Sequence, residues 1–250
     1  SSRRRHTRYG TVTGVQTCAL PISFFGIAMR EGTLFVVMEL IAGETLREYV
    51  IAPRRDLRRN GSATMSPCPQ QGEAMGGVQI VMRGVVQALI FLHSQKPCVV
   101  HCDLQPANII ITQHRDTGPF AKLLDFGLAA AGTRHATVDG GTAKFMAPEA
   151  YSAGGRARAR PAVDIYAVGR LLCYAATLGS SLEVPEPVSA ECSPLLQAWT
   201  PLIMACLSRD PSQRPTARDL DAQLQEQIDP APATRWRLEV RQAVASHLAL

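Results

Sequence analysis

No two cysteines are spaced Cys-x-x-Cys. The seven present, Cys18, Cys68, Cys98, Cys102, Cys173, Cys192 and Cys206, are an odd and scattered set. This excludes a disulfide framework and a zinc-type ligand spacing, and leaves reduced thiols in a cytoplasmic or nuclear protein. No run of about 18 apolar residues is evident, so no transmembrane helix and no membrane partner are expected. The N-terminal apolar stretch is short and interrupted, which makes a poor signal peptide. Internal repeats are lacking too. Charged residues make up only 19% against 46% hydrophobic, a balance that excludes disorder over the whole chain. The net charge of +5 is less informative than it looks. Arg3, Arg4, Arg5 and Arg8 stand in a first stretch of 22 residues without any acid, and the remainder carries only about +1. The body of the chain therefore has no electrostatic footprint for nucleic acid.

Residues 1–22 fit no helix or strand of a domain. The run Val12–Ile22, ending Ala19-Leu20-Pro21-Ile22, reads codon for codon as a translated short-read sequencing adapter. The expectation is a foreign segment fused to a real reading frame, to be set aside in fold reasoning.

Beyond residue 22, short apolar runs alternate with long periodic ones. Ser23–Gly26 and Leu34–Leu40 flank Arg30-Glu31-Gly32 and predict a β-hairpin. Gly43-Glu44-Thr45-Leu46 opens a short helix through Val50. Residues 52–77, rich in proline, glycine and arginine without period, are expected to be a loop insertion. From Val78, the residues Val81, Met82, Val85, Val86, Leu89 and Leu92 keep helical spacing to about His93. Val99–Val100, Ile109–Ile111 and Ala121–Leu124 predict short strands. Ile165, Val168 and Leu172 mark one later helix, and Leu195, Trp199, Leu202 and Cys206 another. Thr216 and Ala217, after Pro215, open a last one. Residues 225–250 form a tail. Mostly helix with a few hairpins is an α+β architecture.

Three motifs carry the chemistry. Between two of the strands stands His101-Cys102-Asp103-Leu104-Gln105-Pro106-Ala107-Asn108. Asp125-Phe126-Gly127 comes next, and then Gly141-Thr142-Ala143-Lys144-Phe145-Met146-Ala147-Pro148-Glu149. Each is weak alone. In this order and spacing, over residues 23–224, the chain resembles the eukaryotic-type protein kinases. The resemblance implies a protein-kinase-like fold, with a mostly helical C-lobe and a remnant of the N-lobe sheet. It implies transfer of the ATP γ-phosphate to a serine or threonine hydroxyl of a protein substrate, with Mg²⁺. Asp103 is then the carboxylate beside the attacking hydroxyl. Asn108 and Asp125 are the oxygen ligands of Mg²⁺. Met38 stands at the gatekeeper, and the backbone of Glu39 and Ile41 at the adenine hinge. Glu44 either reaches the ribose or simply begins a surface helix. Asp164 is implied to hold the loop backbone, and Arg214 to pair with Glu149.

Departures from the family pattern carry expectations of their own. Cys102 replaces an arginine that neutralises activation-loop phosphate, so phosphorylation of Thr133 or Thr137 is expected to be without effect on activity. Gln105 replaces a lysine and can hydrogen-bond but not supply charge. Thr142 favours serine/threonine over tyrosine acceptors. No Gly-x-Gly-x-x-Gly loop and no lysine strand precede residue 23, so the chain is expected to be a fragment with little activity by itself. The rival reading is a pseudokinase that binds ATP or scaffolds partners.

Overall fold

The computed structural model describes residues 24–30, 33–59, 70–114, 118–131, 141–152, 158–183 and 193–227. Residues 1–22, Thr133, Thr137 and the tail beyond Gln227 lie outside these.

The apolar runs near the start form strands β1 (Phe24–Arg30) and β2 (Thr33–Met38), an antiparallel hairpin with Ile27 opposite Val36. It is a two-stranded sheet of its own. A second sheet joins β3 (Glu44–Thr45), β5 (Ile109–His114) and β6 (Gly118–Leu123) in the order β3-β5-β6, all antiparallel. The remaining pair is β4 (Val99–Val100) with β7 (Ala130–Ala131).

Helix α1 (Leu46–Arg59) begins with a reciprocal cap. Thr45 N donates to Glu48 Oε2 at 2.9 Å, and Glu48 N donates to Thr45 Oγ1 at 3.2 Å. Two otherwise orphaned donors are satisfied together. The expected loop over 52–77 is corrected here, because 52–59 continue α1 and 70–77 open α2 (Gln70–His93). Residues 60–69 of that expectation lie outside the described residues. The capped first turn and the buried Leu46 and Val50 carry α1 through Pro53. At the start of α2, glycine answers a packing demand. A Cβ on Gly77 would lie 2.4 Å from the hydroxyl of Tyr49.

Val81, Met82, Val85, Val86 and Leu89 of α2 are all fully buried. They share one core with α4 (Pro161–Ala176) and α5 (Pro194–Cys206). A fully buried side chain of this size contributes roughly 1.5–3 kcal/mol. Helices α4 and α5 approach so closely that a Cβ on Gly169 would lie 2.7 Å from Cys206 Cβ. Helix α6 (Ala217–Gln227) carries a second reciprocal cap, Thr216 with Asp219. Arg83 of α2 ties it down by pairing with Asp221 at 2.9 Å. The short α3 (Pro148–Ser152) packs in a smaller core with Val100, Cys102, Val163 and Tyr166.

The expectation that no stretch could cross a membrane needs one correction. Gly76–His93 is long and apolar enough by length and composition, with a mean hydropathy of 1.3. Most of its apolar positions, from Val78 to Leu92, face the core of the domain, while Ile80 and Phe91 are exposed.

Candidate functional site

The site is built on the polar segment between β4 and β5. Its apolar flanks fix its ends: Val100 and Leu104 are buried, and a 3₁₀ turn at Pro106–Asn108 feeds directly into β5. Asp164, in the first turn of α4, holds the segment from beneath. It is 1% exposed and accepts from His101 N and from Cys102 N, both at 2.9 Å. His93, at the end of α2, meets the same carboxylate at 2.9 Å. Two backbone amides and one imidazole therefore converge on one buried acid, which fixes the loop relative to two helices.

The loop in turn presents Asp103. Its Oδ1 accepts from Thr142 N at 2.9 Å and from Thr142 Oγ1 at 3.1 Å. Its Oδ2 accepts from Gln105 Nε2 at 3.1 Å and from Asn108 Nδ2 at 3.0 Å. An ionised carboxylate offers about four acceptor sites, and here all four are taken by protein donors. Asp103, Gln105, Asn108 and Thr142 are thus brought together.

Asp125 adjoins this group through the backbone, since Leu124 N donates to Asn108 O at 2.8 Å. Its own side chain is exposed, with Oδ1 accepting from Gly127 N at 3.1 Å. Both Cys102 (φ 68°) and Asp125 (φ 57°) are left-handed. That conformation is strained for a residue with a side chain and persists where surrounding contacts impose it. His101 joins the two loops. It is fully buried, Nε2 meets Leu124 O at 2.9 Å, and its ring lies 4.9 Å from that of Phe126.

The donor set suits a hard cation. Asn108 uses its amide nitrogen on Asp103 O and Oδ2, which leaves the amide oxygen to serve a metal. Asp125 adds a carboxylate. Mg²⁺ takes one or two such protein oxygens and completes its shell with water and phosphate. Among the described residues no three His, Cys, Asp or Glu side chains group as a ready-made metal cage.

The residues implied for the adenine side lie elsewhere on the chain. Met38, 45% exposed, ends β2, and Ile41 is half-buried on the connection to β3. The carboxylate of Glu39 pairs with Lys122 of β6. Glu44 is exposed and sits opposite Ile111 in the β3–β5 register. Its charge, second to burial, pushes the Tyr49 phenol up.

Burial, reinforced by Asp164, raises the Cys102 thiol to about 12. It is a neutral group where the family pattern has a cation. Arg214 makes a bidentate pair with Glu149, at 2.6 and 2.8 Å, and also donates to Ala162 O and Ser208 O. Sequence reasoning missed His93, His101 and Lys122. His101 heads the matched motif and could have been found there. His93 and Lys122 gave no signal beyond their places at the end of a helix and on a strand.

Comparison with known proteins agrees with this arrangement. Residues 16–224 match the protein kinase domain family. The chain is similar to the serine/threonine-protein kinase mos of Gallus gallus, 33% identical over 154 residues, covering 59% of this chain and 40% of that protein. It is 30% identical to the serine/threonine-protein kinase pkn3 of Myxococcus xanthus over 231 residues, 80% of this chain and 37% of that protein. It is 34% identical to the serine/threonine-protein kinase PkaA of Streptomyces coelicolor over 211 residues, 76% and 34%. The chain spans 34–40% of the length of these three relatives. A polar loop held on Asp164, a saturated Asp103 and a sequence matched over most of its length lead to one conclusion: this chain belongs to the protein kinase family.

Proposed function

We propose that the protein is a serine/threonine kinase that uses ATP and Mg²⁺ and phosphorylates a protein hydroxyl, with residues 23–224 as the kinase part and residues 1–22 foreign to it. One observation carries the reading: the Asp103 carboxylate is oriented by four hydrogen bonds, one of them from a hydroxyl that can rotate away. Catalysis of phosphoryl transfer rests on positioning and charge rather than covalent chemistry by the protein. When bound, ATP would supply the phosphoryl group, which would pass to the substrate oxygen as the bond to ADP breaks, and Mg²⁺ would neutralise its charge.

The chain's own residues do the rest. A substrate hydroxyl takes the place of Thr142 Oγ1 on Asp103 Oδ1 and gives its proton to that oxygen. Gln105 and Asn108 hold Oδ2 and prevent the carboxylate from turning. Asn108 and Asp125 offer the metal their oxygens. Met38 lines the adenine side, the backbone of Glu39 and Ile41 meets the base, and Glu44 is placed to reach the ribose. The free thiols of Cys98, Cys102, Cys173 and Cys206 suit the reducing cytoplasm or nucleus.

The test is Asp103→Asn in the complete gene product, read as magnesium-dependent phosphate transfer to protein. Removing a positioned base costs about 10²- to 10⁴-fold, and unchanged turnover overturns the reading. A pseudokinase reading draws on Gln105, whose neutral amide occupies the position of a cation. Gln105→Lys separates the two, because it raises the rate of an enzyme and leaves a scaffold without any.

A further inference from the structure

Between the start of α3 and the start of α4 lies a cavity of about 190 Å³, lined by Glu149, Arg158, Arg160, Ala162, Val163 and Pro211. Its charge is one-sided. Both Glu149 oxygens are bound by Arg214, so the one acid among the described lining residues is already neutralised. Arg158 and Arg160 are exposed, and their guanidinium groups make no hydrogen bond or ion pair among the described residues. The backbone at Arg160 is extended (φ −126°, ψ 150°), and in an extended chain alternate side chains share a side. Two cations thus face one hollow, where low-dielectric walls strengthen their attraction for an anion.

The hollow also has a place relative to the reaction. Val163 forms part of its wall and part of the wall of the small pocket that holds Cys102, Asp103 and Thr142. We propose that this cavity is a specificity site that receives the carboxylate of an aspartate or glutamate near the target hydroxyl of the protein substrate. The proposal rests on the kinase reading for the word substrate. The recognition itself needs only the two arginines and the hollow.

The test is therefore a binding measurement without nucleotide. Fluorescence anisotropy of the 250-residue chain is read with serine-centred peptides in which one aspartate pair is moved through every position on either side of the serine. A matched lysine-pair series is the reference. Two solvent-accessible ion pairs give a preference of about tenfold at the best position. That preference shrinks as salt rises from low to physiological concentration. Arg158→Glu with Arg160→Glu abolishes it and favours the lysine peptides, while the double lysine variant keeps it in part. Should the glutamate variant fold poorly, the salt dependence and the lysine variant still decide. Equal binding of acidic and basic peptides at every position overturns the proposal, as does a preference that survives charge reversal. Failure of phosphate transfer by the complete gene product, with this preference intact in the 250-residue chain, would instead remove the kinase reading and keep the acidic site.

Discussion

The segment around Asp103 and the β1–β2 hairpin are close to opposites. At Asp103 both carboxylate oxygens are fully bonded, and the supporting acid, Asp164, is 1% exposed. On the hairpin and just after it Phe25 is 69% exposed, Met29 73% and Leu40 96%. A lone two-stranded sheet is marginal in water, whereas the loop is pinned to α2 and α4 by one carboxylate. The difference teaches where tolerance lies: the loop that bears Asp103 is fixed by the body of the domain, whereas the described side chains of the hairpin are largely exposed.

The contrast breaks most visibly at Asp164. Asp164→Ala leaves two buried amides and His93 without their acceptor, each orphaned donor costing about 1–3 kcal/mol. A loss of about 3–5 kcal/mol in chemical denaturation is expected, and a loss under 1 kcal/mol would show the loop to be held otherwise. The buried thiols sharpen the contrast by pH. Cys102 and Cys206 are raised by burial to about 12, from an unfolded value near 9. Folding favours the protonated thiols, so their contribution is complete below about pH 9 and is lost as pH rises toward 12. Melting curves between pH 8 and 11 should fall by about 5 °C more in the wild type than in the Cys102→Ala, Cys206→Ala variant. A smaller effect is expected at Thr216→Ala, which removes the cap of α6 and costs about 1 kcal/mol. On the hairpin, Met29→Lys should change stability by less than about 0.5 kcal/mol, and a larger loss would mean that the exposed face is not free.

The same contrast governs what could be read without coordinates. The helical stripe from Val78 to Leu92, the hairpin and the strands flanking the loop were legible, because burial imposes a period on the residues. The segments at 52–59 and 70–77 were not. Pro53, Gly72, Gly76 and Gly77 look like breakers, yet the helices run through them, and at Gly77 the missing side chain is what admits Tyr49. Asp103, Asn108 and Asp125 stood out by motif. The partners that orient them from a distance, His93 above all, carry no local mark, since their role exists only after the chain has closed on itself.

Asp164 has one further consequence, which concerns substitution rather than strength. A single side chain fastens the end of α2, the start of the polar loop and its own helix, so no neighbour can compensate when it changes. Glutamate would keep the charge and still fail, because one added methylene carries both oxygens away from two amides whose positions are fixed by the backbone. The side chains of Arg158 and Arg160, a few residues upstream, make no ion pair or hydrogen bond among the described residues. Substitutions at those two arginines should therefore leave the Asp164-held loop unchanged.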